Sequence, residues 1–121
     1  MTAEPAIEFD EVAQPVGRFE WERLIRRVSM PTGVKFLALM LATFADQDGS
    51  RVRPGVGHLA LTLEVSARTV SRGFVWLRDN GFVTRVRQGN RYENMADEYQ
   101  LSVPADILGR LILEPEGPES K

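Results

Sequence analysis

Cysteine is absent from the chain, which excludes disulfides, thiol catalysis and any zinc site that uses cysteine. His58 is the single histidine, so it lacks the companions that a metal site or a nucleophile-base pair requires. We therefore expect no enzymatic activity, no metal and no cofactor. The lack of cysteine also fits a reducing compartment, and we expect a cytoplasmic location.

Long apolar runs are missing as well. The most apolar stretch, residues 34–45, is far shorter than the roughly 20 residues needed to cross a bilayer. The first residues are acidic and lack the basic and then apolar pattern of a signal peptide. We expect no membrane partner and no export.

Basic residues are scarce at both ends of the chain and concentrated in its middle. The net charge is -2, yet residues 51–91 contain eight arginines and only two acidic residues, a local charge of +6. Residues 1–22 and residues 92–121 each carry a charge of -5. This segregation indicates a basic working face between acidic flanks, and the alternative is a solvated run of charges.

The length of 121 residues and the 43% of hydrophobic residues fit one folded domain with a real core. Residues 1–17 mix acids, prolines and scattered apolar residues without a sustained period, so we expect a flexible or extended acidic segment. The domain itself is expected over residues 18–113. Residues 114–121 carry no folding signal and are expected to form a disordered tail.

Two helices are expected in the first half of the domain. Apolar residues spaced at i, i+3, i+4 and i+7 predict a helix over residues 18–29. A second helix, over residues 32–45, is apolar enough to lie at the centre of the molecule, and Thr32 is its expected N-cap.

Two further helices follow at a short interval. Pro54 suits the first turn of a third helix, which runs to about residue 63. Ser66 is a helix-start signal, and Gly81 is a candidate for the left-handed residue just after a helix end. These signals predict a fourth helix over residues 67–80.

In the last third of the domain, apolar and polar residues alternate as they do in β-strands. Residues 82–87 and residues 98–103 are predicted to pair as antiparallel strands joined by a loop over residues 88–97. Residues 51–53 are expected to form a very short strand. Pro104 is expected to open a final short helix.

This order of helices and strands is that of a winged helix, and particular residues carry a resemblance. They are an A-D-x-D-G turn at 45–49, Pro54, L-A at 59–60, S-x-R-T-V-x-R at 66–72, Leu77 and G-F-V at 81–83. Across residues 21–104 the chain resembles the winged helix-turn-helix proteins of bacterial, plasmid and phage genomes.

The resemblance implies a mainly α fold with a small antiparallel β-wing, and sequence-specific binding to double-stranded DNA. It implies a transcriptional regulator, in particular a repressor. A replication-initiation or maintenance protein of a plasmid or phage would use the same chemistry and stays open as an alternative. A winged-helix protein-interaction module is the alternative of another class, because the acidic ends oppose strong general affinity for DNA.

The helix at 67–80 is the expected reader of the major groove. On a helical wheel Val70, Gly73, Phe74 and Leu77 share one side. Arg68 and Arg72 lie nearly opposite, with Thr69 and Ser71 beside them, where arginine can pair with guanine and hydroxyls can reach bases or phosphates. Ser66 and the helix N-terminus are expected to bind a phosphate. The alternative is that the two arginines are ordinary exposed residues paired with Asp79 or Glu64.

The predicted wing, residues 82–103, is expected to follow a phosphate backbone or enter the minor groove. Alternation places Arg85 and Arg87 on the same face, next to Asn90 and Arg91 in the loop. The alternative is that these charges only protect a sheet edge from aggregation.

For a few other residues the sequence leaves two roles open. Arg51, Arg53 and His58 are expected to touch phosphates or simply to face solvent. Trp76 is expected on the outer side of its helix, packed on the N-terminal helix or on a second subunit. The apolar faces of the first and last helices make a homodimer a possible partner, since dimers match palindromic sites.

Overall fold

The structure is a computed structural model, and it describes residues 13–90, 92 and 95–112. The elements follow one another along the chain as β1 (Ala13–Pro15), α1 (Arg18–Ile25), α2 (Thr32–Ala42), α3 (Val56–Leu63), α4 (Ala67–Asp79), β2 (Val83–Arg87), β3 (Glu98–Pro104) and α5 (Ile107–Arg110). Within these residues, five helices and a three-stranded antiparallel sheet make an α+β fold.

The core forms where helices α1 to α4 pack on one another and on the sheet. α2 is central because it contacts both α1 and α4 and because its buried residues, Leu37, Ala38, Leu41 and Ala42, form a broad apolar face. From α1 the core receives Trp21 and Ile25, as the helical spacing predicts. The remaining large buried side chains come from α3, α4, the strands and the connections between elements, where Val28, Val52 and Phe82 lie.

The sheet has the strand order β1-β3-β2, so β3 is its central strand. β2 and β3 form the hairpin that alternation predicts. β1 pairs with the end of β3, with Ala13 opposite Pro104 and Pro15 opposite Ser102. The folded region therefore begins before residue 18, inside the segment expected to be flexible or extended. Proline is tolerated in β1 because β1 is an edge strand.

The short strand expected at residues 51–53 is reduced to a single bridge. Val52 donates its N–H to the carbonyl of Tyr99 at 3.0 Å and accepts the N–H of Tyr99 at 2.7 Å. Val52 is fully buried. The bridge therefore anchors the connection between α2 and α3 on the central strand without extending the sheet.

Helix starts differ from two expectations. Thr32 is not a cap: the N-cap of α2 is Pro31, whose carbonyl accepts the first helical hydrogen bond from Lys35 at 2.9 Å. Pro54 does not lie in the first turn of α3, because Gly55 is the N-cap and accepts the N–H of Leu59 at 3.0 Å. In both cases the boundary is set by the residue whose carbonyl takes the first bond.

Helix ends also differ. α1 stops at Ile25 rather than near residue 29, because Val28 pairs with Leu111 in a bridge across the chain. α2 stops at Ala42, and tighter bonds between residues three apart continue the chain to Ala45. The helix expected to open at Pro104 is only the single turn α5, because Pro104 pairs with Ala13 as the last residue of β3.

The fourth helix is as predicted at both ends. The Ser66 hydroxyl accepts the N–H of Thr69 at 3.1 Å, which satisfies one of the free donors of the first turn of α4. Gly81 has a φ of +83° just past the helix, and the N–H of Phe82 returns to the carbonyl of Leu77 at 2.8 Å. This is the glycine-terminated helix end expected from the sequence. In the described part of the chain, every helix is too short or too polar to span a bilayer.

Candidate nucleic-acid interface

α4 is held by an apolar face that leaves its opposite face open. Val70, Gly73, Phe74 and Leu77 are its buried residues. Gly73 allows α4 to approach α2 closely, since a Cβ at this position would come within 2.6 Å of a methyl carbon of Leu37. The direction of the outward face of α4 is therefore fixed by core packing.

Three residues join α3 to α4. Glu64 adopts a left-handed conformation, with a φ of 61° and a ψ of 44°, and the N–H of Val65 returns to the carbonyl of Ala60 at 3.1 Å. Ser66 then caps α4 and also lies 3.0 Å from the hydroxyl of Thr69. The connection is short and hydrogen-bonded, so α3 fixes where α4 begins.

The outward face of α4 carries the residues expected to read a base sequence. Arg68, Thr69, Ser71 and Arg72 are all exposed. Among the described residues, no ion pair involves Arg68 or Arg72. The alternative pairing with Asp79 or Glu64 is therefore not observed, and two guanidinium groups face solvent from consecutive turns of one helix.

The two arginines of strand β2, Arg85 and Arg87, differ from those of α4 because each is paired with an acid. Arg85 lies 3.4 Å from Asp97, and Arg87 donates to Glu98 at 2.8 Å. Arg53, from the connection before α3, lies 3.9 Å from the same Glu98. These ion pairs offset much of the positive charge that the sequence places on the hairpin.

The two hairpin arginines do not share a face, contrary to the simple alternation. The pairing register shifts between them, so Arg85 lies opposite Tyr99 and Arg87 lies opposite Glu98. Neighbouring residues of a strand point to opposite faces. The irregularity of β2 therefore separates two side chains that an unbroken strand would have put together.

Asp97 organises the base of the hairpin loop. Its carboxylate accepts the N–H of Gly89 at 2.6 Å and lies 3.4 Å from both the guanidinium of Arg85 and the hydroxyl of Tyr99. Burial alone would raise the pKa of Asp97, but the Gly89 N–H and the Arg85 guanidinium outweigh it and hold the pKa below the ordinary value of 3.8. The carboxylate is thus charged at neutral pH, and it stabilises the loop by accepting the N–H of Gly89.

Stacked aromatic rings tie the hairpin to α4. The rings of Phe74 and Tyr99 lie 4.8 Å apart and nearly parallel, at 18°. Burial raises the pKa of Tyr99 above 10.0 despite the opposing effect of Arg78. An open cavity of about 580 Å³ lies beside this pair, between the start of α3 and the hairpin. Arg85 and Asp97 both line it.

The remaining predicted residues are scattered around the hairpin and α3. Asn90 is exposed, and its backbone pairs with Met95 in both directions at 2.9 Å. Arg91 lies outside the described residues. His58 is exposed on α3, with its ring 5.9 Å from Phe44 in an edge contact. Arg51 lies 3.5 Å from Asp46 and has a φ of 63°.

Trp76 is half-buried on α4. Its ring stacks on Phe82 with centroids 6.1 Å apart and an interplanar angle of 9°, and the contact expected with the N-terminal helix or a second subunit stays a prediction. Together with Arg72 and Thr69 it lines a groove of about 300 Å³ between α4 and the start of α2. The side of α4 next to Arg72 is therefore concave and partly aromatic.

One exposed residue of α4 was not singled out from the sequence. Val75 is 47% exposed and belongs to the outward face that carries Arg68 and Arg72. The signal was available, because a rotation of about 100° per residue places Val75 between Ser71 and Arg68 on the helical wheel. It was missed because a search for hydrogen-bonding and cationic side chains passes over an apolar one.

No three histidine, acidic or cysteine side chains within the described ranges come together in a way that could hold a metal ion. Comparisons of the chain with protein-family models, with curated proteins and with solved structures found no match.

Proposed function

We propose that this protein is a winged helix-turn-helix protein that binds double-stranded DNA in a sequence-specific manner. In this proposal α3 and α4 are the two helices of the helix-turn-helix, α4 is the recognition helix, and the β2–β3 hairpin is the wing. The major groove is about 12 Å wide and accepts one helix with its polar face toward the bases.

The observation that carries the proposal is the outward face of α4. Arg68 and Arg72 are exposed and have no acidic partner among the described residues. Arginine in this state can form two parallel hydrogen bonds to guanine O6 and N7. Thr69 and Ser71 lie beside them and can bond to bases or phosphates. A rigid, packed helix presenting these four side chains suits direct readout of a sequence.

Phosphate contacts set the position of such a helix on the duplex. Ser66 and the first turn of α4 supply N–H groups at a helix N-terminus, where negative charge is favoured. The wing adds Arg85 and Arg87, and the connection before α3 adds Arg53, but the acidic partners of these arginines must be displaced or shared before they bind phosphate. We therefore assign the wing a supporting role on the backbone or in the minor groove.

The use that we propose for this binding is transcriptional regulation by occupation of a site, with repression as the direct outcome. A replication-initiation or maintenance role would employ the same surface. The two uses differ in where the selected sequence lies in a genome: a promoter supports regulation, and repeats beside a replication origin support replication.

The first experiment selects bound sequences from a random duplex pool with the full chain and then measures affinities by fluorescence anisotropy. Arg72→Ala should weaken the selected site by about tenfold to a hundredfold and relax the preference for one base, because it removes a paired contact to guanine. Arg87→Ala should weaken selected and unrelated duplexes alike, because it removes a contact to phosphate.

Arg23→Ala is the matched control, since Arg23 is an exposed arginine of α1, a helix outside the proposed helix-turn-helix and wing. It makes the same change in charge and should leave the base preference intact. Selected-site affinity that is the same in the parent and in Arg72→Ala would contradict the assignment of α4. Absence of duplex binding at low ionic strength would contradict DNA binding altogether and favour the alternative that this surface docks a protein.

A further inference from the structure

The outward face of α4 contains one apolar side chain among polar ones. Val75 is the only large hydrophobic residue of α4 that is exposed, and it follows Arg72 by three residues and Ser71 by four. At about 100° per residue, Val75 points within about 20° of Arg68 and within about 60° of Arg72. It therefore belongs to the same surface as the two arginines.

Val75 does not belong to the buried face of α4. The core side of α4 is complete with Val70, Gly73, Phe74 and Leu77, and almost half of Val75 is open to solvent. Valine is also a poorer helix former than alanine because its branched side chain loses freedom in a helix. Alanine at residue 75 would therefore keep the core face of α4 complete and would favour the helix more than valine does.

A duplex offers one apolar group on the base edges of the major groove, the C5-methyl group of thymine. We propose that Val75 contacts this methyl group and so selects thymine at one position of the bound site. This inference rests on the proposed function, because it requires α4 to lie in the major groove.

The geometry also gives the position of that thymine relative to the other contacts. Val75 lies about 4.5 Å along the helix axis from Arg72 and about 10.5 Å from Arg68. Base pairs are stacked about 3.4 Å apart in B-DNA. The thymine should therefore lie one or two base pairs from the guanine that Arg72 reads, on the side away from the contact of Arg68.

The test replaces each thymine of a selected site, one at a time, with deoxyuridine, which lacks only the methyl group. For the parent protein, one substitution near the Arg72 contact should weaken binding by about fourfold, the ratio expected when one buried methyl group is lost. For Val75→Ala the same thymine and uracil sites should bind with nearly equal affinity, because the two Cγ methyl groups are gone.

Val86→Ala is the matched control, because it makes the same truncation at an exposed valine that lies in β2 and not on α4. Since β2 belongs to the proposed wing, the comparison uses the ratio of the affinities for the thymine and uracil sites and not the affinity itself. Val86→Ala should keep the fourfold preference for thymine at that position. Val75→Ala should remain folded, since alanine favours a helix more than valine does, and circular dichroism checks this directly.

The outcomes separate this inference from the function on which it rests. If the parent binds the selected site but no uracil substitution weakens it, or if Val75→Ala keeps the same thymine preference, the role of Val75 is wrong and DNA binding stands. If the parent selects no duplex sequence at all, the proposed function fails first. A thymine preference that is lost in Val75→Ala and kept in Val86→Ala supports the assignment.

Discussion

At the scale of single residues, Trp21 joins the most distant parts of the domain. It is completely buried in α1, and its indole N–H points at two carbonyl oxygens, that of Phe82 at 3.0 Å and that of Ser102 at 2.9 Å. Phe82 lies just before β2 and Ser102 lies in β3. One donor thus fastens the first helix to both strands of the hairpin, which positions the end of α4 as well.

We predict that Trp21→Phe lowers the free energy of unfolding by about 2–4 kcal/mol. The change leaves a cavity and removes a buried donor from two carbonyl groups. Urea denaturation followed by circular dichroism measures the effect without relying on tryptophan fluorescence.

Trp76→Phe is the control for this prediction, because Trp76 is only partly buried and a phenyl ring can still stack on Phe82. It should cost less than half as much as Trp21→Phe. Equal losses for the two variants would mean that the paired carbonyl contacts of Trp21 contribute nothing.

At the scale of elements, the two ends of α4 are fixed by different contacts. Its N-terminus is capped by Ser66, which also stands where the proposal places a phosphate. Its C-terminus closes on Gly81, and Arg110 of α5 reaches Asn80 at 3.0 Å there. At the end that faces DNA in the proposal, the side-chain cap is the Ser66 hydroxyl. Substitutions of Ser66 can therefore change the stability of the protein and its affinity for DNA separately.

We predict that Ser66→Ala is less stable than the parent and that Ser66→Asp is as stable as the parent. Ser66→Ala should lower the free energy of unfolding by about 1 kcal/mol, because Thr69 loses the acceptor of its N–H. Ser66→Asp should keep the stability of the parent, since a carboxylate caps a helix and is favoured at its N-terminus. Thermal denaturation compares the three proteins.

Duplex affinity should follow the reverse order for these variants. A carboxylate at residue 66 repels the phosphate expected there, so Ser66→Asp should bind a selected site more weakly than Ser66→Ala does. Anisotropy titrations at two salt concentrations make the comparison. Parent-like affinity for Ser66→Asp would place the phosphate contact elsewhere.

At the scale of the whole molecule, the middle of the chain is basic although the net charge is acidic. The net charge of -2 is acidic, but the acids are concentrated at the two ends, and the free arginines of α4 lie between them along the chain. Residues 1–11 contain four acids, Glu4, Glu8, Asp10 and Glu11, and no base. An acidic segment attached to a DNA-binding domain opposes its general attraction to phosphates.

We predict that replacing these four acids with Gln or Asn tightens binding to unrelated duplexes by roughly tenfold at low ionic strength, because the charge that opposes association is removed. The change leaves β1 intact, which a deletion to residue 17 would not. The gain should shrink as salt is added, since screening weakens such interactions. Anisotropy with a non-selected duplex measures it.

A matched control replaces the three acids of the C-terminal tail, Glu114, Glu116 and Glu119, in the same way. A similar gain there would show that net charge matters and the identity of the end does not. Unchanged or weaker affinity for the N-terminal variant would refute a screening role for residues 1–11.

How far the sequence could predict this protein is clearest at α4. Its cap at Ser66, its end at Gly81 and its buried residues all follow from signals within one helix length. The exposure of Arg68 and Arg72 follows from the same spacing. These features were predictable because the hydrogen bonds and periodicity behind them are local.

The hairpin shows where prediction from the sequence stops. The strands were found by alternation, but the register shift that separates Arg85 from Arg87 depends on how β2 meets β3. The ion pairs with Asp97 and Glu98 join residues 12 and 11 positions apart, and Arg53 reaches Glu98 across the fold. Spacing along one strand contains no information about such partners.

Local chemistry in the sequence by itself determined that α1 to α4 and the β2–β3 hairpin form, where α4 is capped and where it ends, and which of its faces is polar. Only the tertiary structure decided that β1 completes the sheet, that Val28 pairs with Leu111 and ends α1 early, and that Arg85 and Arg87 are paired with acids while Arg68 and Arg72 have no acidic partner among the described residues. The physical reason is distance along the chain. Caps and periodicity act within a few residues, whereas strand pairing and ion pairs depend on segments that meet only after the core has formed.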